Sequence, residues 1–189
     1  LFTAYRVYYM KYVITGGCGF IGVALVDFLS RDGSHKVRIV DNLSVGSLER
    51  LTQIGEVTEL SLDGLNWSTP LEFVEADIRD RAAMVQAVKG ADVVVHLAAN
   101  TGVPQSVEDP FLDQETNVKG TLNVLDACRH AGVERFVFAS SGAPVGEQTP
   151  PIHENMTPHP ASPYGASKLE GEAYCSAYSQ CFGDETVAL

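Results

Sequence analysis

Thr15-Gly16-Gly17-Cys18-Gly19-Phe20-Ile21-Gly22 joins a short apolar run, Lys11 to Thr15, to a helical pattern that extends from Phe20 to about Ser30. The glycines at 16, 19 and 22 have the spacing G-x-x-G-x-x-G. A strand that bends sharply into a helix uses such glycines for the tight turn, for close approach of backbone to a pyrophosphate, and for close helix–strand packing. The helix start then presents free N–H groups and a positive dipole end to the phosphates. Glycine-rich turns are common in themselves. Here the strand before the turn and the amphipathic helix after it give the triplet meaning.

Outward from that turn, further apolar runs at 36–40, 71–75, 92–96 and 135–139 read as strands. Helical spacing over 81–89, from about 112 to 131, and from about 164 to 181 separates them, and 185–189 reads as the start of another strand. Residues 42–70 are expected to form a loop with one short helix, and 144–163 a proline-rich loop. Blocks of Val, Ile, Leu and Phe alternating with helices predict an α/β fold, a doubly wound parallel sheet covered on both faces. There is no internal repeat and no low-complexity tract.

The 189 residues suffice for one well-buried core. Apolar residues at 45% and charged residues at 20% are ordinary globular composition. A formal net charge of −11 argues against a nucleic-acid partner or an anionic membrane surface, and no run approaches the roughly 18 apolar residues of a bilayer span. Cys18, Cys128, Cys175 and Cys181 form no C-x-x-C pair and no cysteine–histidine ligand spacing, so no metal site is expected. They read as small apolar filler, reduced in a cytoplasmic protein. Met10 reads as a natural start, with residues 1–9 an N-terminal extension and 10–189 one nucleotide-binding domain.

Two further features carry chemistry. Asp41 closes the second strand, 19 residues beyond Gly22, where an acid holds ribose hydroxyls and repels a 2′-phosphate, so NAD is expected over NADP. Ser162-Pro163-Tyr164-Gly165-Ala166-Ser167-Lys168 places a phenol and an amine four apart at a helix start, hence on one face. A phenol near pKa 10 is too weak an acid to serve as base at neutral pH. A neighbouring ammonium favours the phenolate, which can then take a proton from an alcohol as hydride leaves its carbon. Ser140 and Ser141, after the strand at 135–139, stand where a hydroxyl could complete such a site.

Together these residues resemble the NAD-dependent epimerase/dehydratase family of the extended short-chain dehydrogenase/reductase superfamily, and among its members the UDP-hexose 4-epimerases. Asp41-Asn42-Leu43-Ser44, Ala76 to Asp80, His96 to Ala99, Asn117 to Leu125 and Phe136 to Ser141 extend the resemblance over nearly the whole chain from Met10. It implies a Rossmann domain, with Gly16, Gly19, Phe20, Ile21 and Gly22 at the pyrophosphate and Asp41 and Asn42 at the adenosine ribose. Asp77 and Ile78 would contact adenine, Leu97, Ala98, Ala99 and Ala139 would line the cofactor, and Asn117 would mainly steady the backbone nearby. Ser141 would bond the reacting sugar oxygen, Tyr164 would be the base, and Lys168 would hold the nicotinamide ribose and tune Tyr164. It also implies a homodimer built through the helices near 112–131 and 164–182, and a C-terminal substrate domain beyond the end of this chain.

Relatives that eliminate water carry an Asp-Glu pair after the catalytic hydroxyl; here Gly142 and Ala143 follow Ser141, which favours epimerisation of a nucleotide sugar, a UDP-hexose, through a transient 4-keto sugar. The other readings are a related NAD(P)-dependent nucleotide-sugar dehydratase or reductase, and a truncated, non-catalytic dinucleotide-binding protein. The family usually has tyrosine where Val145 precedes Gly146. His96 is expected to be a packed histidine, His130, His153 and His159 surface residues, Glu154 structural, Glu170 and Glu172 a solvated face, and Trp67 a loop residue without chemistry.

Overall fold

A computed structural model describes residues 9–31 and 33–189. Residues 1–8 of the expected extension lie outside the described residues.

Seven strands form one sheet: β1 (Lys11–Thr15), β2 (Lys36–Asp41), β3 (Thr58–Glu59), β4 (Leu71–Glu75), β5 (Val93–His96), β6 (Arg135–Phe138) and β7 (Thr186–Ala188). Their order is β3-β4-β2-β1-β5-β6-β7 and every pairing is parallel. The chain moves outward from β1 to one edge, returns to lay β5 against β1, and then builds the other edge. That reversal opens a crevice beyond the carboxyl ends of β1 and β5, where open α/β sheets bind ligands.

Side-chain alternation along the strands divides the core between the two faces. Val13, Val40, Val74 and Val94 face a cluster with Met84, Val124, Leu125 and Cys175. Ile14, Ile39 and Phe73 face another with Val26, Leu29 and Leu51. The helices α1 (Phe20–Ser30), α2 (Leu48–Thr52), α3 (Arg81–Ala87), α4 (Val103–Glu108), α5 (Pro110–Asp113), α6 (Thr121–Ala131) and α7 (Pro163–Phe182) cover these faces. On α1 the buried residues Gly22, Val26 and Leu29 recur at helical spacing. Asp80 caps α3 by accepting from the Ala83 N–H, and Ser162 caps α7 by accepting from the Gly165 N–H, with Pro163 in the first turn. Such caps stabilise by about 1 kcal/mol each.

Several expectations need correction. The helix expected from about Leu112 begins earlier, as α4 and α5, and passes through a π-helical turn at Gln114–Gly120 before α6. Trp67 belongs to the core despite its loop position. It is 8% exposed, its Nε1 donates to the Lys89 carbonyl at 2.9 Å, and the Arg38 guanidinium lies 3.9 Å from its ring centroid. Arg38 pairs with Glu72 at 2.8 Å across the β2–β4 register, with both side chains buried. Cys18, Cys128 and Cys175 are buried, as filler should be, whereas Cys181 is exposed.

Candidate active site

The glycine turn is as tight as its spacing demands. Gly16 has φ +69°, its N–H donates to the Val40 carbonyl at 2.8 Å, and a Cβ there would lie 2.6 Å from the Ala98 nitrogen. A Cβ on Gly22 would lie 2.5 Å from the Gly16 oxygen. No side chain caps α1, so its first-turn N–H groups are left for an outside acceptor, beside the exposed Phe20 and Ile21. A backbone cradle with no room for side chains and a free helix start fits a dinucleotide pyrophosphate.

At the end of β2, Asp41 is 9% exposed, and its oxygens accept from the Cys18 N–H at 3.0 Å and the Leu43 N–H at 2.8 Å. Each carboxylate oxygen keeps a further lone pair for a ribose hydroxyl. Asn42 donates from Nδ2 to Asp77 Oδ2 at 3.0 Å. Arg79 grips the same carboxylate through Nε at 3.0 Å and Nη2 at 2.7 Å, which, with Asn42, holds Asp77 well below the usual carboxylate range. Ile78 turns its side chain into the core against Gly120, and Asn123 takes its carbonyl at 3.0 Å. Leu97 and Ala98 leave β5 hydrogen-bonded to Thr15, at its carbonyl and its hydroxyl.

His96, which ends β5, is 1% exposed and bonded at Nδ1 to the Thr15 hydroxyl (2.6 Å) and at Nε2 to the Thr121 hydroxyl (3.0 Å). Burial first, and the Lys168 charge second, push its pKa down to about 3. The ring is a neutral core strut. Asn117, on the π turn, is also 1% exposed. Its Oδ1 accepts from the Asn100 N–H at 2.7 Å, and its Nδ2 reaches the Asn100 carbonyl (2.9 Å), Asp113 (2.8 Å) and Ser167 (3.2 Å). The amide is consumed within the protein, so Asn117 steadies the backbone rather than facing the crevice.

Tyr164 is half-buried in the first turn of α7, and one turn later Lys168 is 4% exposed. The Lys168 ammonium donates to the Ala139 carbonyl at 2.8 Å and lies 4.8 Å from the Phe138 ring centroid and 5.9 Å from that of Tyr164. Burial pushes its pKa down to about 8, against the opposing pull of Asp113. Ser141 is exposed, with Oγ accepting from the Ala143 N–H at 3.1 Å. Ser140 instead gives its hydroxyl hydrogen to Glu172 Oε1 in a short bond. Of the two serines, Ser141 is the one open to a ligand. Glu172, expected on a solvated face, is in fact half-buried and braces the strand end that precedes Ser141.

Sequence reasoning missed Asp113, Ser167, Thr15 and Glu172 as parts of this framework. A signal existed for two of them. Glu172 lies four residues after Lys168, and Asp113 four before Asn117, spacings that share a helix face.

The profile of the NAD dependent epimerase/dehydratase family matches residues 12–189. The chain belongs to that family. Among relatives, a putative UDP-glucose 4-epimerase of Methanocaldococcus jannaschii is 39% identical over 180 residues, 94% of this chain and 53% of that protein. UDP-glucose 4-epimerase of Mycolicibacterium smegmatis is 40% identical over 177 residues, 92% of this chain and 52% of that protein. The crystal structure of Thermus thermophilus UDP-glucose 4-epimerase in complex with NAD superimposes with a TM-score of 0.80 at 37% identity, covering 95% of this chain and 54% of that one. The chain thus spans about half the length of the relatives it matches.

Proposed function

We propose that this chain provides the dinucleotide-binding half of a nucleotide-sugar 4-epimerase that works with NAD. The observation that carries the reading is the buried Lys168 ammonium beside the Tyr164 ring, at the strand end where Ser141 leaves its hydroxyl exposed. NAD, when bound, supplies the site that takes hydride from the sugar carbon and returns it. The rest is the work of this chain's residues. The uncapped start of α1 and the Gly16 to Gly22 backbone hold the pyrophosphate, and Asp41 accepts from ribose hydroxyls and repels a 2′-phosphate. Ser141 bonds the C4 oxygen of the sugar. Tyr164 takes that oxygen's proton and gives it back after the sugar has turned over, while the Lys168 charge favours the phenolate.

Gly142 and Ala143, which follow Ser141, carry neither acid nor base, which favours epimerisation over elimination of water. A UDP-hexose is the substrate class in this reading. A homodimer through the helices near 112–131 and 164–182 belongs to the same reading, and the exposed apolar side chains of Phe111 and Leu112 at the start of the first support it.

Calorimetric titration of the complete protein with NAD and NADP, followed by incubation with UDP-glucose, UDP-N-acetylglucosamine and their C4 epimers, tests the proposal. Tighter binding of NAD and interconversion of one epimer pair are expected. Equal affinity for the two dinucleotides would overturn the role of Asp41, and NAD binding without conversion of any of these sugars would overturn the epimerase reading.

A further inference from the structure

We infer that Glu172 is a positioning residue: by holding the Ser140 hydroxyl it fixes where Ser141 stands relative to Tyr164. The inference rests on the roles given to Ser141 and Tyr164 above. Ser141 has little of its own to locate it. It is exposed, as is Gly142 after it, and a Cβ on Gly142 would meet nothing within 4 Å. The Ser141 hydroxyl accepts from the Ala143 N–H two residues on, at 3.1 Å. A bond of that kind keeps the shape of the turn without placing the turn on the molecule. The anchors come just before it. The Ala139 carbonyl accepts from Lys168 at 2.8 Å, the Ser140 N–H donates to the Leu189 carbonyl at 2.7 Å, and the Ser140 hydroxyl donates to Glu172. The last of these joins the residue next to Ser141 directly to the helix that carries Tyr164.

The helix is shaped for that contact. Gly165, Lys168 and Glu172 recur at helical spacing and share one face of α7. That face lies close against the end of β6 and the turn after it. A Cβ on Gly165 would stand 2.7 Å from the Ala143 oxygen, and one on Gly171 would overlap the Phe138 ring. The absence of side chains at 165 and 171 lets the helix approach until Glu172 reaches Ser140. A carboxylate drawn half out of water bears a desolvation cost unless it is bonded. Among the described residues no lysine, arginine or histidine is in ion-pair contact with Glu172. Its partner is the Ser140 hydroxyl, in a charge-assisted bond. Glu170, two residues earlier, stays exposed, as a glutamate with no such task would.

The test uses the complete protein, ¹⁵N-labelled at alanine and serine. The Ala143 N–H, bonded to Ser141 Oγ, reports by NMR on the serine turn without reference to catalysis. In Glu172→Ala its exchange with water should quicken about tenfold, the scale of one hydrogen bond to a charged acceptor. The Ser68 N–H, bonded in the same way to Asn66 Oδ1 at 2.8 Å between β3 and β4, should exchange as before. The kcat for sugar interconversion should fall about tenfold as well, with KM and NAD affinity unchanged. Glu172→Gln, whose amide oxygen still accepts the hydroxyl, should recover both, and Glu170→Ala should alter neither. Ser140→Ala should repeat the effect of Glu172→Ala, and the double variant should be no worse than either alone. Unchanged Ala143 exchange in folded Glu172→Ala overturns the proposal, as does an unchanged kcat in an active protein. Should Glu172→Ala fail to fold, Ser140→Ala gives the same comparison. Faster Ala143 exchange in a protein that converts no sugar would leave the tether standing and remove the epimerase reading.

Discussion

The Lys168 ammonium donates to the Ala139 carbonyl at 2.8 Å, so the charge beside Tyr164 also ties α7 to the end of β6. A second tie, from the Ser140 hydroxyl to Glu172, lies one turn further along the helix. Between them they set where Ser141 stands relative to Tyr164, because Ser141 follows both anchored residues. The site is thus a joint between one helix and one strand end, and its precision depends on bonds that no substrate touches.

Glu172 should accordingly matter to stability. A hydrogen bond to a charged acceptor is worth about 1.5 kcal/mol at the lower end of its range, where this half-buried one belongs. Glu172→Ala is expected to lose that amount in urea unfolding, and Glu172→Gln less, since an amide oxygen accepts the same hydroxyl. Equal losses from the two variants would show that the contact with Ser140 contributes nothing.

Gly22 tests the glycine turn. A methyl group there meets the backbone of Gly16 and Gly17 at 2.5 Å, contacts that no side-chain rotation relieves. Gly22→Ala should cost about 1–3 kcal/mol or more and weaken NAD binding. Gly55→Ala, where the added carbon would meet Leu71 Cδ1 at an ordinary 3.6 Å, should stay within about 0.5 kcal/mol of the unmodified chain and bind NAD normally. Unaltered NAD affinity in Gly22→Ala would place the dinucleotide elsewhere.

His96 gives the fold a defined acid sensitivity. Unfolded, its imidazole gains a proton near pH 6.5; folded, only near 3. Between those values the unfolded state binds more protons, so stability falls as pH drops through that window, by at most about 1.4 kcal/mol per pH unit from this group. Urea unfolding at pH 7 and pH 4.5 should show a smaller loss in His96→Gln than in the unmodified chain. Identical losses would mean that the ring is protonated in the fold.

Glu72→Leu strands the Arg38 charge in the core and should cost about 3–5 kcal/mol, whereas Arg38→Met combined with Glu72→Leu should recover most of it. Urea unfolding of the two variants distinguishes them. No recovery in the double variant would mean that the pair's hydrogen bonds to Ala87 and Lys89 outweigh its charges.

What the sequence revealed and what it hid follow from the range of each signal. The β1 to α1 turn, the acid at the end of β2 and the Tyr164–Lys168 pair are local patterns, legible because spacing alone decides which residues share a face. Trp67 is a loop residue as its sequence context suggests, but its burial against Arg38, 29 residues earlier, depends on how β2 registers against β4. Periodicity cannot announce that register. The π turn at Gln114–Gly120 escaped because one wide turn hardly disturbs the apolar spacing of the helix around it. The helix spacing of Glu172 puts it on the face of Lys168, but whether that face is solvated is decided by the strand end packed there, some 30 residues away in sequence.

The base role of Tyr164 is tested most directly by Tyr164→Phe in the complete protein, measured for NAD affinity by calorimetry and for interconversion of UDP-glucose and UDP-galactose on the same preparation. The ring and its packing remain, and only the hydroxyl is lost. NAD affinity should be unchanged while turnover drops about 100-fold or more, the scale of a general acid–base contribution. Turnover equal to that of the unmodified protein would contradict a base role for Tyr164.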